Sequence, residues 1–345
     1  MSTRSPRSRH PEGPRQATIR DVARAACVSV ATVSRALNDS GPVRDDTRRR
    51  VRDAADNLRF TPHGGARSLI TSRTNTLGVL LPDLYGEFFS EIIRGIDRGA
   101  QRAGYQLLLS SARNARDEVH GAFCAMYGRI DGLVLMAPDV ELAELFAERH
   151  DGTPIVFINS PVESANARVI TIDNHGGAYQ MVKHLVRRGR ERIAIIRGAE
   201  SNHDAAERLR GYRAALADCG LEVDPRLELS GDFTELAGYR AARAAIRIQP
   251  RPTAIFAAND AMAIGAIAAL GEDGVAVPDD IAVAGFDDIP IARYVSPPLS
   301  SVHVPIAQLG ERAMALLLDA IVDPATDAGR RVVLPTTLVI RKSSP

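Results

Sequence analysis

The feature that most limits the fold is a regular alternation of short apolar runs and amphipathic stretches that begins at Thr76. The apolar runs are TLGVLLP, YQLLLS, GLVLMA, PIVFIN, VITID, RIAIIRG, AIFAAND and DIAVAGFDD. Helix-length amphipathic segments such as EFFSEIIRGIDRGAQRAG and ELAELFAERH separate them. Continuous apolar strands that alternate with helices indicate parallel sheets covered on both faces. We therefore predict an α/β body of two doubly wound subdomains, with ligands bound between them at the carboxyl ends of strands.

A different pattern precedes this body, between residues 18 and 60. Thr18 and Asp21 have the spacing of a helix N-cap and its third helical residue, Ser29 can cap a second helix, and a third follows from about Thr47. The inward positions at helical spacing are Ile19, Val22, Ala23 and Ala26, then Val33 and Leu37, and finally Val51, Ala54, Ala55 and Leu58. Three short helices, the first two joined by a three-residue turn, predict a helix-turn-helix unit.

The charge of the chain is divided unevenly between these two parts. Residues 1–73 hold 15 arginines against 7 acidic residues, a net charge of +8, whereas the rest of the chain carries −7. A basic head on an acidic body is typical of a polyanion-binding module fused to a separate domain. A solvated basic tail gives the same balance, so the charge alone leaves both interpretations open.

In a helix-turn-helix, the N-terminal residues of the second helix reach base edges in the major groove. Arg35 can bind guanine through two hydrogen bonds, and Val30 and Ala31 offer apolar contact to thymine methyl groups. A plain helical hairpin with a polar solvent face shows the same periodicity.

The residues of this head carry a more specific signal. The run from Asp21 to Asn38, with VSVATVSRALN at its end, resembles the DNA-binding head of the lac/gal repressor family. Cys27 departs from the family, which usually has glycine in the turn, so its side chain must tolerate the turn backbone. The resemblance extends to residues 61–69, which match the family's hinge helix, whose leucine enters the minor groove and is Leu69 here. The residues expected to contact DNA are Thr18, Ser29, Val30, Ala31, Thr32, Ser34, Arg35, Asn38, Arg67 and Leu69.

The body resembles the periplasmic-binding-protein-like core of the same family, and the match runs from about residue 18 to residue 341. The resemblance implies effector-binding roles for residues from both lobes: Phe88, Phe89, Asn159, Asp173, Arg208, Phe233, Asn259 and Asp287. Each has a structural alternative as well. Asn259 can cap the helix that follows it, Asp287 can brace a turn, Arg208 can form an interlobe ion pair, and Asp173 can brace the hinge instead of lining the cleft.

Several classes of function have no support in the sequence. The histidines show no H-E-x-x-H spacing, and there is no G-x-S-x-G, no Walker loop and no G-x-G-x-x-G that opens a helix after a strand. Three scattered cysteines fit neither a disulfide framework nor a zinc site. We expect no catalytic residues, no metal and no cofactor. Without a long apolar run or a signal-like N-terminus, we expect no membrane association and a cytoplasmic protein that joins the nucleoid when bound to DNA.

The boundaries follow from these patterns. We predict a disordered basic arm over 1–17, the DNA-binding unit over 18–60, the hinge over 61–73 and the effector-binding core over 74–345. Within the core, subdomain one takes about 74–172 and 303–331, and subdomain two takes about 173–302 and 332–341, of which 332–341 is the predicted strand VVLPTTLVIR.

The resemblance implies a ligand-responsive transcriptional regulator, most often a repressor, here of carbohydrate-utilisation genes. Its partners would be palindromic double-stranded operator DNA, a sugar or sugar derivative as effector, and a second copy of the chain. The sequence ends at Pro345 without the heptad-bearing tail that makes tetramers in the family, so we expect a homodimer whose face includes the helix over 87–103. Two alternatives stay open: a periplasmic-type solute-binding protein, and a regulator with a degenerate cleft that answers to a protein partner.

Overall fold

The structure is a computed structural model that describes residues 17–38, 41–60, 73–112, 116–138, 152–162 and 164–345. The chain divides into two compact units, Met1–Thr74 and Asn75–Pro345. Three of the predicted features lie outside the described residues: the basic arm, the hinge segment with Arg67 and Leu69, and the helix expected in ELAELFAERH.

The described part of the smaller unit contains three helices, α1 (Ile19–Ala25), α2 (Val30–Asn38) and α3 (Asp45–Asn57). The backbone nitrogen and the hydroxyl of Thr18 both donate to Asp21 Oδ2, at 3.0 and 2.7 Å, so the predicted cap is formed. The core of the unit is small, and its fully buried members are Val22, Ala23, Ala26, Val33, Ala36, Val51, Ala54 and Ala55. The third helix begins two residues earlier than predicted, and Leu58, expected inside, is 37% exposed because it follows the last helical turn.

The larger unit contains the predicted alternation of strands and helices. Its first elements are β1 (Thr76–Leu81), α4 (Glu87–Arg102), β2 (Gln106–Ser111), α5 (Arg116–Met126), β3 (Gly132–Met136), β4 (Ile155–Ile158), β5 (Arg168–Ile172) and α6 (Asn174–Arg187). These are followed by β6 (Ile193–Ile196), α7 (His203–Asp218), β7 (Glu228–Leu229), α8 (Glu235–Ala245), β8 (Ala254–Ala257), α9 (Asp260–Glu272) and β9 (Ala282–Asp287). The last elements are β10 (Ser300–His303), α10 (Ile306–Val322), β11 (Arg331–Leu334) and β12 (Thr337–Val339).

These elements form two lobes, each built on a six-stranded sheet. The first sheet has the order β11-β5-β4-β3-β1-β2 and is parallel throughout. The second has the order β12-β10-β9-β8-β6-β7 and is parallel except for the antiparallel pair of β10 and β12. The chain passes between the lobes after β5, after β10 and after β11.

This topology corrects the predicted boundary near the C-terminus. Residues 332–341 were assigned to the second subdomain as part of one strand. Instead, Pro335 separates β11 from β12, and the two short strands belong to different sheets. Proline has no N–H to continue a ladder, so a strand that reaches it ends there.

Close packing of α4 against α10 anchors the C-terminal crossing to the first lobe. A Cβ built on Gly95 would stand 2.0 Å from the carbonyl oxygen of Ala307 on α10, a distance that no side chain tolerates. Glycine at this position lets the two helix backbones touch, and the buried core of both lobes continues across them. No helix in the described ranges is long and apolar enough to cross a membrane.

The turn between α1 and α2 carries backbone strain, as expected from the presence of cysteine. Cys27 has φ of 53°, a left-handed conformation that costs an L-residue roughly 1–2 kcal/mol. Cys27→Gly should therefore stabilise the head by about 1 kcal/mol, because part of the gain is offset by the greater unfolded-state freedom of glycine. Hydrogen exchange of peptides from residues 18–60, measured in the full chain, should slow about fivefold.

Ala26→Gly is the matched control for this prediction. Ala26 precedes Cys27 and has an ordinary right-handed backbone, with φ of −83°. Glycine there should destabilise the head by about 0.5–1 kcal/mol and speed up exchange. If both variants shift exchange in the same direction, the positive φ of Cys27 is not a source of strain.

Candidate functional site

The exposed face of α2 is the candidate DNA-reading surface of the head. Ser29, Val30, Ala31 and Arg35 are exposed, and Thr32 and Ser34 are half-buried on the same helix. Val30 is an apolar side chain with 42% exposure, which suits a contact made only with a partner. The structure thus brings six of the predicted DNA contacts onto the first turns of one helix.

Ser29 has a structural role in addition to its predicted contact. Its hydroxyl accepts from the backbone nitrogen of Thr32 at 3.1 Å and lies 2.9 Å from the Thr32 hydroxyl. It caps the helix as its residue type and spacing predicted. Thr18 caps α1 in the same unit, and Asn38 ends α2, but its side chain lies outside the described atoms.

The body contains a cavity of about 680 Å³ between its lobes. Six of the eight predicted effector residues line it: Phe88, Phe89, Arg208, Phe233, Asn259 and Asp287. Residues from the loop after β1, from α4 and from the end of β3 form the wall of the first lobe, and residues that follow β6, β7, β8 and β9 form the other. The cavity therefore lies at the carboxyl ends of parallel strands, the position the fold predicts for a ligand.

Arg208 is the buried charge at the base of this cavity. Its side chain is 4% exposed, its Nη2 atom lies 3.6 Å from Asp287 Oδ1, and its guanidinium stacks over Phe286 at 3.9 Å from the ring centroid. Its Nε donates to Asn174 Oδ1 at 2.8 Å, and the same asparagine donates to Asp204 Oδ1 at 2.8 Å. Both members of the ion pair come from the second lobe, so the interlobe pair considered from the sequence is wrong.

The environment of these acids changes their protonation. Burial raises the pKa of Asp204 to about 6, against the opposing effect of the Arg208 guanidinium. Burial also raises the pKa of Asp287 to about 7, with Arg208 lowering it and the charge of Asp204 raising it. Burial and the charge of Asp287 raise the pKa of Asp260 well above its ordinary value. Near neutral pH the base of the cavity can therefore hold protonated carboxyl groups, which donate as well as accept.

Aromatic rings form much of the remaining wall. Phe88 and Phe89 meet edge to face with ring centroids 5.5 Å apart. Phe233 has φ of 70°, and its carbonyl oxygen accepts from Asn259 Nδ2 at 3.0 Å. Asn259 Oδ1 accepts from the backbone nitrogen of Met262, so this residue caps α9 and lines the cavity at the same time.

Two predicted effector residues do not line the cavity. Asn159 follows β4, is fully buried, and has neither amide atom in a hydrogen bond. Asp173 caps α6, where its Oδ1 accepts from Gly176 N at 2.8 Å.

The cavity lining also includes polar residues that were not predicted from the sequence, of which Asp204 is the most buried. The others are Asp83, Glu87, Asn202, Asp232, Thr234 and Glu235. Each of these residues lies within a few positions of a strand end or a helix start. Many other residues do so too, and the sequence does not show which of them face the cavity.

Two backbone hydrogen bonds join the lobes beside the cavity. The backbone nitrogen of Ile291 in the second lobe donates to Glu87 Oε2 in the first at 2.9 Å. The backbone nitrogen of His203 donates to the carbonyl oxygen of Pro138 at 3.3 Å. Within the described residues, no group of three His, Cys, Asp or Glu side chains is placed to hold a metal ion.

Comparison with known proteins gives consistent matches to both units. The model described as "Bacterial regulatory proteins, lacI family" matches residues 18–63, and a periplasmic binding protein-like domain matches residues 182–344. The chain is 36% identical over 334 residues to the HTH-type transcriptional repressor PurR of Photobacterium profundum, covering 95% of this chain and 98% of the relative.

Two solved structures extend this likeness to three dimensions. The transcriptional regulator CelR–cellobiose complex is 32% identical, covers 95% of this chain and 99% of its own, and has a TM-score of 0.71. The lac repressor dimer bound to operator and the anti-inducer ONPF is 28% identical, covers 96% and 99%, and has a TM-score of 0.84.

The buried acids of the cavity make the stability of the body depend on pH. Because Asp204 and Asp287 bind protons more tightly in the folded state than in the unfolded chain, the free energy of unfolding should fall as pH rises from about 4 through about 7. Asp204→Asn removes one titrating group and keeps an oxygen that accepts from Asn174. The loss of stability between about pH 5 and about pH 8 should then be smaller by about 1 kcal/mol in urea unfolding.

Asp279→Asn is the control, because Asp279 is exposed and lies away from the cavity lining. It should leave the pH dependence as it is in the unmodified chain. A pH dependence that Asp204→Asn does not alter would contradict the proton uptake assigned to this carboxyl.

Proposed function

This chain belongs to the lacI family of bacterial regulatory proteins, and from that membership we propose that its head reads a palindromic operator while the cavity of its body senses a small effector. It is a DNA-binding transcriptional regulator, like the repressors to which it is similar over nearly its whole length, and it is not an enzyme. The solute-binding alternative is not favoured, because a family-specific DNA-binding unit occupies residues 18–63.

The observation that carries the proposal is that one chain contains both an exposed helix suited to reading DNA and a cavity with a buried ion pair at its base. In such a head, Arg35 reads a base edge directly, and Val30 and Ala31 contact thymine methyl groups. The other polar residues of α2 bind phosphates, which orients the helix in the groove. The proposed form is a homodimer on two half-sites, with Leu69 of the hinge segment in the minor groove between them. Such a regulator works on chromosomal DNA, which places it in the cytoplasm.

We propose a sugar or another hydroxyl-bearing ring as effector. Aromatic walls from Phe88, Phe89 and Phe233 stack on rings, while charged groups around Arg208 and Asp287 fix orientation through charge-assisted hydrogen bonds. The CelR complex, which contains cellobiose, supports a carbohydrate in a cavity of this kind. A buried and charged cavity base also argues against a degenerate cleft that answers only to a protein partner.

The effector acts by coupling two sites through the angle between the lobes. Three chain crossings and the bonds Glu87–Ile291 and His203–Pro138 connect the lobes beside the cavity. A ligand that prefers one lobe angle shifts the population toward it, and the operator must in turn change ligand affinity by the same factor. Repression of a target gene is relieved or strengthened according to which angle the ligand prefers.

The whole proposal is tested by selecting genomic fragments with the purified full chain. Recovered fragments should share a palindrome, and binding should weaken steeply with salt because phosphate contacts release counterions. Gel-shift assays on the selected operator with a panel of sugars and nucleosides then show whether a ligand changes the affinity. Absence of any preferred fragment would overturn the DNA-binding part, and insensitivity to every ligand would overturn the coupling.

Arg35→Ala should relax specificity at one operator position and cost roughly 1–3 kcal/mol on the preferred sequence. The loss comes from one base edge, so operators altered at that position should bind the variant and the unmodified chain with similar affinity. The control is Arg24→Ala on α1, whose side chain is 80% exposed. Its effect, if any, should be equal on all sequences, and an equally uniform effect of Arg35→Ala would remove its base-reading role.

Arg208→Ala should abolish the effector response in the gel-shift assay, because it removes the cation that orders the cavity base. Since Arg208 is buried, urea unfolding of the same variant shows whether it still folds. Phe233→Ala provides a second test, because it removes an aromatic wall without touching the Arg208 hydrogen bonds. A full response in folded forms of both variants would exclude the cavity as the effector site.

A further inference from the structure

The lining of the cavity is strongly acidic. Its described residues carry six carboxyl groups, those of Asp83, Glu87, Asp204, Asp232, Glu235 and Asp287, against one guanidinium, that of Arg208. Concave sites lined by one sign of charge concentrate ligands of the opposite sign and repel those of the same sign. The described lining therefore favours ligands that carry no negative charge.

Arg208 does not offset this excess for an incoming anion. Its Nε and Nη1 atoms already donate to Asn174 and to the Ala258 carbonyl oxygen, and its Nη2 lies beside Asp287. A phosphate that approached it would have to compete with a buried carboxylate for the one remaining nitrogen. Anion sites usually combine unpaired Arg or Lys side chains with free backbone N–H groups.

The described helix N-termini at the cavity are also poorly suited to binding an anion. Three of the lining residues cap their own helices, with Asn202 Oδ1 accepting from Ala205 N, Thr234 Oγ1 from Ala237 N and Asn259 Oδ1 from Met262 N. The fourth helix at the cavity, α4, begins with the acidic residue Glu87. At three of these termini the chain's own cap therefore already uses one backbone donor, and at α4 the first-turn carboxylate of Glu87 opposes the approach of an anion.

The same groups define what the ligand must bring. A carboxylate only accepts hydrogen bonds and a protonated carboxyl group can also donate one, so a ligand with hydroxyl groups, which donate and accept, suits both forms. The apolar part of the lining, from Phe88, Phe89 and Phe233, supplies faces for a ring. We propose that the cavity takes an unphosphorylated, hydroxyl-rich ring, a sugar or a nucleoside, and excludes the phosphate ester of the same molecule. This deepens the effector site of the proposed function and rests on it.

The first test measures binding of matched pairs to the full chain by calorimetry. The pairs are glucose and glucose 6-phosphate, ribose and ribose 5-phosphate, and adenosine and cytidine with their 5′-monophosphates. Wherever a pair binds, the unphosphorylated member should bind at least about 100-fold more tightly, since like-charge contacts are costly. A phosphate ester that binds as tightly as its partner, or more tightly, would overturn the proposal.

Salt and charge variants separate repulsion from a steric clash. The ratio of affinities between the two members of a pair should decrease when salt is raised from about 0.02 M to about 0.5 M, because salt screens the repulsion of the phosphate. The double variant Asp232→Asn and Glu235→Gln should reduce this affinity ratio about tenfold, because it removes two negative charges. The control Asp279→Asn, which lies away from the cavity, should leave the ratio unchanged. If neither salt nor the double variant changes the affinity ratio, the ester is excluded by its shape and not by its charge, which would overturn the proposal.

A labelling experiment decides the case even if no pair binds. In a chain with Cys27, Cys124 and Cys219 changed to serine, Ala261→Cys places a thiol on the cavity lining. Trimethylammonium-ethyl methanethiosulfonate should react there faster than the sulfonate reagent, with a rate ratio about tenfold above that of exposed Cys124 in a chain that keeps only this cysteine. An equal or lower ratio would overturn the proposal.

The two proposals fail separately. A molecule that obeys the charge rule and leaves operator affinity unchanged contradicts the coupling alone. A phosphate ester that binds in the cavity and changes operator affinity contradicts the charge rule alone.

Discussion

One buried guanidinium holds the charged base of the cavity together. Two acids, Asp204 and Asp287, lie in surroundings that raise their pKa, and carboxylates removed from water are strongly unfavourable without a paired cation. Arg208 supplies that cation from α7, while its other nitrogens fix Asn174 and the end of β8 through Ala258. The arrangement of the strand ends and the ionisation of the cavity base therefore both involve the same side chain.

This dependence extends to the two lobes. His203 opens α7, the helix that carries Arg208, and its backbone nitrogen bonds Pro138 of the first lobe, while Glu87 bonds Ile291, four residues after Asp287. A change in the angle between the lobes would alter these two bonds, which lie close to the charged base. A ligand held by that base is thus placed to favour one lobe angle over another, which is the differential contact that coupling between sites requires.

Much of this architecture was predictable because the core strands are continuous apolar runs, which only parallel sheets covered on both faces accommodate. The exceptions have physical causes. β10 reads SSVH and β7 has two residues, so neither carries an apolar signal, and Pro335 divides a run that looked like one strand between two sheets. Asp204 was missed because a lone acid in the first turn of a helix is ordinary on a surface, and only the tertiary structure buries it beside Arg208.

The cavity also shows why a fold does not determine its ligand. Doubly wound sheets bring helix N-termini to the cleft, and free N-termini bind anions. In this chain, Asn202, Thr234 and Asn259 occupy those termini with their own side chains, and Glu87 adds a negative charge to another. Replacement of such caps by glycine would leave the sheets unchanged and expose backbone donors to the cavity. The ligand charge that such a cavity favours therefore depends on the carboxyl groups and helix caps beside the strand ends, so relatives that share every strand can differ in it.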